Sequence, residues 1–307
     1  VQGVSSTSLE RYPAITKEKD IAPAENEQNM SSQVNHVRHV LAVASGKGGV
    51  GKSLVSAMAA VELARCGLKV GIMDADITGP SIPRLFGMTA RPASSMGGII
   101  PPETETGVKI ISMNLFLYDS GQPVIWRGPL LTSAIKQFWT DVAWGDLDVL
   151  IVDLPPGTAD VPLTTFESLP VDGILMVTTP QELASMIVEK AAGLAKQMHK
   201  PILGIVENMA MVTCPHCGEA FELFGPSHAE ELADHIGAPV LARLPIDPTV
   251  TALADTGHVE DVKMAAFAPV AEALAEYVAT PSTVPPAPNP APAPKVSCSP
   301  CSGDSTG

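Results

Sequence analysis

Three observations predict an α/β fold, a mostly parallel sheet flanked by helices. Short, near-continuous apolar runs alternate with segments of helical periodicity. A glycine-rich segment, GKGGVGKS at 46–53, falls between one such run and one such segment, and two later apolar runs end in aspartate, at Asp74 and Asp153. Strands that are apolar throughout belong to parallel sheets covered on both faces, and the helices between them are the crossovers that parallel pairing demands.

Taken in chain order, residues 1–35 are polar and without period, and are expected to be disordered. A buried strand is expected at 40–45, within HVLAVAS, followed by a helix at 53–66 and a strand at 68–74 (LKVGIMD). Residues 89–127 are richer in Gly, Pro and Thr and read as an excursion with short antiparallel strands. A helix at 129–142 leads to strands at 148–153 (DVLIVD) and 172–179 (DGILMVTT), then a helix at 181–198. Strands at 201–207 (PILGIVE) and 239–244 (PVLARL) follow, with helices at 226–236, 248–256 and 264–279. The last helix carries Glu272 and Glu276 but no basic face, so it reads as core packing and not as a membrane-surface helix. One domain is therefore expected over 36–280. Beyond it, residues 281–294 contain seven prolines. Such a segment is a polyproline II spacer, able to carry the final KVSCSPCSGDSTG roughly 40 Å outward.

Composition narrows the function. With 307 residues and 45% hydrophobic content the chain can bury a full core. Its 19 basic and 33 acidic residues leave a net charge of −14, which repels nucleic-acid phosphates and anionic lipid. No nucleic acid and no membrane are expected as partners. No apolar stretch approaches the roughly 18 residues of a span, and the N-terminal VQGVSSTSLERYPAITKEKD has no apolar signal region, so a cytoplasmic location is expected.

The segment Gly46, Lys47, Gly48, Gly49, Val50, Gly51, Lys52, Ser53 fits G-x-x-x-x-G-K-[ST] in the strand–loop–helix setting that motif requires. Its backbone N–H groups suit phosphate oxygens, Lys52 suits the β/γ-phosphates, and the Ser53 hydroxyl suits Mg²⁺. After the second strand, DADITGPS sets Asp74, Asp76 and Thr78 at a strand's C-terminal end, where parallel α/β sheets bind ligands. Asp76 can orient a water or hold Mg²⁺ through one, and Asp153, ending DVLIVD, is placed for the Mg²⁺ shell. The PPGT that follows reads as a γ-phosphate-sensing loop, its prolines stiff and its Gly157 allowing close approach.

Five cysteines include two C-x-x-C pairs, Cys214/Cys217 and Cys298/Cys301, with Cys66 alone and expected to be a small core residue. In a reducing compartment such pairs point to metal or redox chemistry. For Cys-Pro-His-Cys at 214–217 three chemistries stay open on the residues alone. A thioredoxin-like site would use one activated thiolate. A zinc ribbon would need two such pairs. An iron–sulfur cluster would need four thiolates, two from each chain of a symmetric dimer. His216 reads as exposed and not as a ligand.

The second lysine of the loop, Lys47, resembles the deviant Walker A lysine of the MinD, ParA, nitrogenase iron protein and Mrp/ApbC proteins. WRGP at 126–129, WGDLDVLIVDLPPGTAD ending at Asp160, and VENMA at 206–210 followed by CPHC together resemble the Mrp/ApbC iron–sulfur cluster carriers over roughly residues 36–280. The resemblance implies a P-loop NTPase fold of the deviant Walker A type and a homodimer sandwiching two nucleotides. It implies that Lys47 reaches the partner's phosphates, that Asn208 contacts adenine, and that Cys214 and Cys217 hold a [4Fe–4S] cluster. ATP and Mg²⁺ would be the other cofactors and apo iron–sulfur proteins the clients, with Lys47, Asp76 and Asp153 serving a slow ATP hydrolysis. Cys298 and Cys301 are possible extra cluster ligands. Leu54 departs from the threonine common in relatives, the small extra N-terminal domain of many bacterial members is missing, and so is the N-terminal four-cysteine segment of the eukaryotic cytosolic ones. Two other readings of the same loop are a positioning or partitioning ATPase of the MinD/ParA type and an ATP-driven electron donor.

Overall fold

A computed structural model describes residues 35–76, 79–95, 98–116, 128–157, 165–181, 192–193, 195–214, 216–282 and 284, with the side chains of 128–132 left out. The expectations for residues 1–34, for Thr78, for WRGP as far as Arg127, for most of the helix at 181–198 and for the tail with Cys298 and Cys301 fall outside those residues. The strands are β1 (His36–Ser45), β2 (Val70–Asp74), β3 (Ala93–Ser95), β4 (Gly98–Ile100), β5 (Lys109–Ser112), β6 (Asp146–Asp153), β7 (Gly173–Thr178), β8 (Ile202–Thr213), β9 (Ala220–Phe221) and β10 (Val240–Ile246). Helices α1 (Lys52–Arg65), α2 (Ile82–Leu85), α3 (Gly128–Thr140), α4 (Ala229–Ile236), α5 (Pro248–Asp255) and α6 (Ala268–Val278) accompany them.

The main sheet runs β10-β8-β7-β1-β6-β2-β5, and every neighbouring pair along that path is parallel. Among the described residues only β9 joins it antiparallel, as a short hairpin arm on β8. Chain order reverses across β1: β2 and β5 lie to one side, β7, β8 and β10 to the other. That reversal opens a crevice beyond the C-terminal end of β1, where the glycine-rich loop begins.

Each strand serves two cores, which is why the apolar runs show no polar alternation. On β1, Val40, Ala42 and Ala44 face a cluster built with α3 and α4. Leu41 and Val43 face the opposite cluster, built with α1 and α6. The apolar stripe of α6, Val270, Ala271, Leu274 and Val278, is buried, as expected of a packing helix. Its end is tied down by polar contacts: His39 Nδ1 lies 2.7 Å from Asp172, and Tyr277 donates to the Asp172 carbonyl at 2.6 Å. Past α6, Ser282 donates to the Arg38 carbonyl and Val284 packs against the sheet.

Two expectations need correction. Residues 89–127 read as an excursion with short antiparallel strands, and β3 and β4 within it do pair that way. Yet β5 is a parallel edge strand of the main sheet, paired with β2 from Gly71↔Lys109 to Asp74↔Ser112. Four residues with a lysine at one end carry too little pattern to reveal it. Cys66 is exposed, not in the core. It caps the C-terminal end of α1, past the last turn that packs on the sheet.

Trp144 is fully buried, and its indole N–H donates to the Phe138 carbonyl at 2.9 Å. Replacing it by Ala should cost about 3–5 kcal/mol from lost burial and the cavity left behind. Urea unfolding of the two proteins, with an unchanged m-value, is the measurement.

Candidate functional site

The sequence 46–53 folds as a loop because its glycines accept what other residues resist. Gly51 has φ 83°, and a Cβ there would run into the Asn208 amide. Helix α1 begins at Lys52, directly after that turn, so its unpaired N-terminal N–H groups face the crevice. The loop, Asp76, Ser81, Leu85 and Pro156 line a cleft of about 240 Å³.

Beneath the cleft, register sets two carboxylates side by side: Asp74 of β2 pairs with Asp153 of β6, and Val43 of β1 pairs with Asp153 on the other side. Both aspartates are fully buried. Asp153 collects three donors, Lys52 Nζ at 2.8 Å, Ser53 Oγ at 2.7 Å and Ser56 Oγ at 2.7 Å. Asp74 accepts from the Asp76 N–H at 3.2 Å, the Ile82 N–H at 3.3 Å and Ser112 Oγ at 3.2 Å. Burial, and then the neighbouring Asp153 charge, push the Asp74 carboxyl up to about 8. Asp74 thus sets the loop that presents Asp76, which is half-buried on the cleft wall.

Lys47 is half-buried at the cleft mouth and donates to Gln181 Oε1. Of the PPGT segment, Pro156 lines the same cleft and the Gly157 N–H donates to the Ser45 carbonyl at 2.9 Å, while Thr158 lies outside the described residues. Asn208 is buried, and its side-chain amide donates to the Val50 carbonyl at 2.9 Å. The structure therefore gathers Gly46 to Ser53, Asp76, Asp153 and Asn208 at one place. Mg²⁺ fits this donor set: Ser53 Oγ and an Asp153 carboxylate oxygen are adjacent, Asp76 lines the same cleft, and all are hard oxygen ligands.

Cys214 and Cys217 stand apart from that cleft, at the end of β8. The strand runs six residues beyond the expected 201–207 before folding back through β9, with Val212↔Phe221 and Thr213↔Ala220 in register. The turn closes with the Cys214 N–H donating to the Glu219 carbonyl and the Gly218 N–H to the Cys214 carbonyl, both at 2.9 Å. Gly218, at φ 74°, takes the left-handed conformation this knuckle needs. Backbone N–H groups of Cys217 and then His216, followed by the Cys217 thiol, hold the Cys214 thiol below its ordinary range. Such a turn favours thiolate, the form that binds metal. His216 is exposed. Among the described residues no set of three or more His, Cys, Asp or Glu side chains could hold a metal ion.

The family model for NUBPL iron-transfer P-loop NTPases, of the ParA group, matches residues 36–279. The chain belongs to that family. It is 40% identical over 240 residues to an iron-sulfur cluster carrier protein of Clostridium perfringens, covering 76% of this chain and 84% of that one. To the cytosolic Fe-S cluster assembly factor CFD1 of Kluyveromyces lactis it is 42% identical over 243 residues, covering 76% and 86%. Among solved structures, a nucleotide-binding protein of Archaeoglobus fulgidus in complex with ADP is 44% identical, with a TM-score of 0.68 over 75% of this chain and 91% of that chain. The cell division ATPase MinD of Pyrococcus furiosus, 21% identical with a TM-score of 0.58 over 78% of this chain and 99% of that one, shares the fold. The expected fold class and family are borne out, and the protein is a nucleotide-binding P-loop NTPase. Among the described residues no helix is long and apolar enough to cross a membrane.

Sequence reasoning missed Ser56, Gln181 and the contacts of Glu207. Ser56 lies one turn beyond Lys52 on the buried face of α1, a polar residue in an apolar stripe, and that was its only signal.

The raised Asp74 carboxyl makes stability depend on pH. The folded protein holds this proton more tightly than the unfolded chain, so the contribution is complete below about pH 4 and is lost as pH rises through about 8. In nucleotide-free protein, Asp74→Asn should therefore gain stability relative to the parent between pH 5 and pH 8.5. Urea midpoints at both pH values measure it, and a constant difference would show that the carboxyl ionises normally.

Proposed function

We propose that this chain is an ATPase that carries a [4Fe–4S] cluster between two copies of itself and delivers it to apo-proteins. The observation that supports this most is the knuckle. It presents two thiols, one predisposed to thiolate, on the strand that also supplies Asn208 to the phosphate loop. A cubane cluster takes four thiolates, so the second pair comes from a second copy. Phe221, Leu223 and Phe224 are exposed beside the knuckle, an apolar surface that the second copy would cover. The names of the relatives agree with iron–sulfur carriage.

In this reading the loop amides and Lys52 bind the β/γ-phosphates, while Ser53 and Asp153 hold Mg²⁺ and Asp76 orients the attacking water. Bound Mg²⁺ supplies charge neutralisation to the phosphates. Lys52, now on Asp153, moves from carboxylate to phosphate, and Ser53 and Ser56 remain to satisfy the buried Asp153. Lys47 leaves Gln181 for the partner's phosphates, and Asn208 contacts adenine. Delivery is thiolate exchange: iron–sulfur bonds to Cys214 and Cys217 break as client thiolates form theirs, with no net electron transfer. The acidic surface and the reducing compartment that free thiols need fit a cytoplasmic carrier without nucleic-acid or membrane partners.

Anaerobic reconstitution should load about four Fe per two chains. Cys214→Ala with Cys217→Ala should abolish that uptake and leave ATP binding intact, because the two motifs occupy separate loops. Stoichiometric zinc with no iron would overturn the cluster assignment.

The two lysines should separate. Lys52→Ala removes the charge on the chain's own phosphates and should weaken ATP binding by tenfold or more, since about 1.4 kcal/mol suffices for that factor. Lys47→Ala should leave binding within about threefold and depress turnover, as expected of a group that acts only near the transition state. Calorimetry and phosphate release measure the two, and equal loss of binding would argue against a nucleotide sandwich.

A further inference from the structure

Strand β8 is irregular where it passes the nucleotide cleft. Opposite β10, Glu207 pairs with Arg243 and Met211 with Pro245, so β8 advances four residues while β10 advances two. Asn208, Met209 and Ala210 therefore form a bulge, and Met209 takes φ 58°, a left-handed conformation uncommon for a residue with a side chain. The bulge is what turns Asn208 out of the sheet toward the Val50 carbonyl.

The residue before the bulge is anchored. Glu207 is 1% exposed, and its carboxylate accepts from Ser227 Oγ at 2.8 Å and from Arg243 Nε at 2.8 Å. The same guanidinium reaches outward, Nη2 to Glu222 Oε1 at 2.9 Å. Glu222 follows β9, the return arm of the cysteine hairpin, and its side chain is 43% exposed. The knuckle is thus held to the sheet in two ways, through the bulge on one arm and through Arg243 on the other.

We propose that Arg243 is a positioning residue that couples nucleotide occupancy to the orientation of the Cys214/Cys217 knuckle. A nucleotide that engages Asn208 draws it from Val50 and shifts the bulge, the stretch of β8 free of ladder pairing. With the return arm fixed through Arg243 and Glu222, that shift pivots the knuckle. Without the tie, the loose arm absorbs it. A planar guanidinium can serve two carboxylates at once, one buried and one on the hairpin, which a lysine ammonium of shorter reach and no fork does not reproduce. The proposal relies on the cluster-carrier reading for the use made of the movement, not for the movement.

The test follows thiol alkylation in the reduced, metal-free, full-length chain, resolved by peptide mass spectrometry, with and without Mg²⁺ and a non-hydrolysable ATP analogue. In the parent protein the analogue should change the Cys214 rate about fivefold or more, a typical coupling between linked sites. Cys66, exposed at the far end of α1, is the internal control. Glu222→Ala and Arg243→Lys should bind the analogue normally yet show a Cys214 ratio within about twofold of one. The proposal is overturned if the parent rate ignores nucleotide, or if both variants keep the parent ratio, including the case where rates rise equally in both states, which marks a purely structural tie. Failure of the carrier reading would look different: no iron uptake on reconstitution with the alkylation ratio still present.

Discussion

The buried Asp153 carboxylate is the constraint around which the nucleotide half of the molecule is built. A charge with no access to water must be neutralised and hydrogen-bonded where it stands, and leaving it unpaired costs several kcal/mol, about 3–5 when a partner is removed. Lys52, Ser53 and Ser56 all come from the first turns of α1, so satisfying Asp153 fixes that helix against β6. Fixing the helix start fixes the glycine-rich loop that enters it. The N–H groups of the loop are held toward the cleft before any phosphate arrives, which lowers the ordering cost of binding.

Asp74 is the second buried carboxylate of the pair, and its environment differs. Among the described residues its donors are two backbone N–H groups and a serine hydroxyl, with no cation in hydrogen-bonding contact. Burial beside Asp153 then favours the neutral form. Two strands in register, each ending in aspartate, give one charged group suited to a cation and one group that shapes the loop carrying Asp76. The division follows from which neighbour α1 can reach.

At the other end of the site, β8 joins two chemistries in one strand. Its bulge delivers Asn208 to the phosphate loop, and its last residues lead into the cysteine knuckle. The hairpin itself is small, two residues of β9 against the strand end, and would be poorly held by backbone pairing alone. Glu207, Arg243 and Glu222 supply the missing attachment, and they do so from a fully buried anchor.

Much of this was legible in the sequence, because the signals were local. The order of strands and helices followed from apolar runs and helical period, and GKGGVGKS, the aspartates at strand ends and Cys-x-x-Cys are contiguous motifs whose chemistry depends on spacing along the chain. The sequence by itself thus determined the fold class, the glycine-rich phosphate loop and the presence of a Cys-x-x-Cys pair after β8. What it left open were pairings between distant residues. That Lys109–Ser112 joins the main sheet depends on a partner 38 residues earlier in the chain, and a four-residue edge strand has no pattern of its own. That the Asp74 carboxyl is pushed up by burial beside Asp153 while Asp153 gathers Lys52 depends on the β2–β6 register. That Arg243 ties Glu207 to the cysteine hairpin depends on the β8–β10 register, which sets Arg243 opposite Glu207 just before the bulge. Register and bulge are properties of pairs of strands, so only the tertiary structure could decide them.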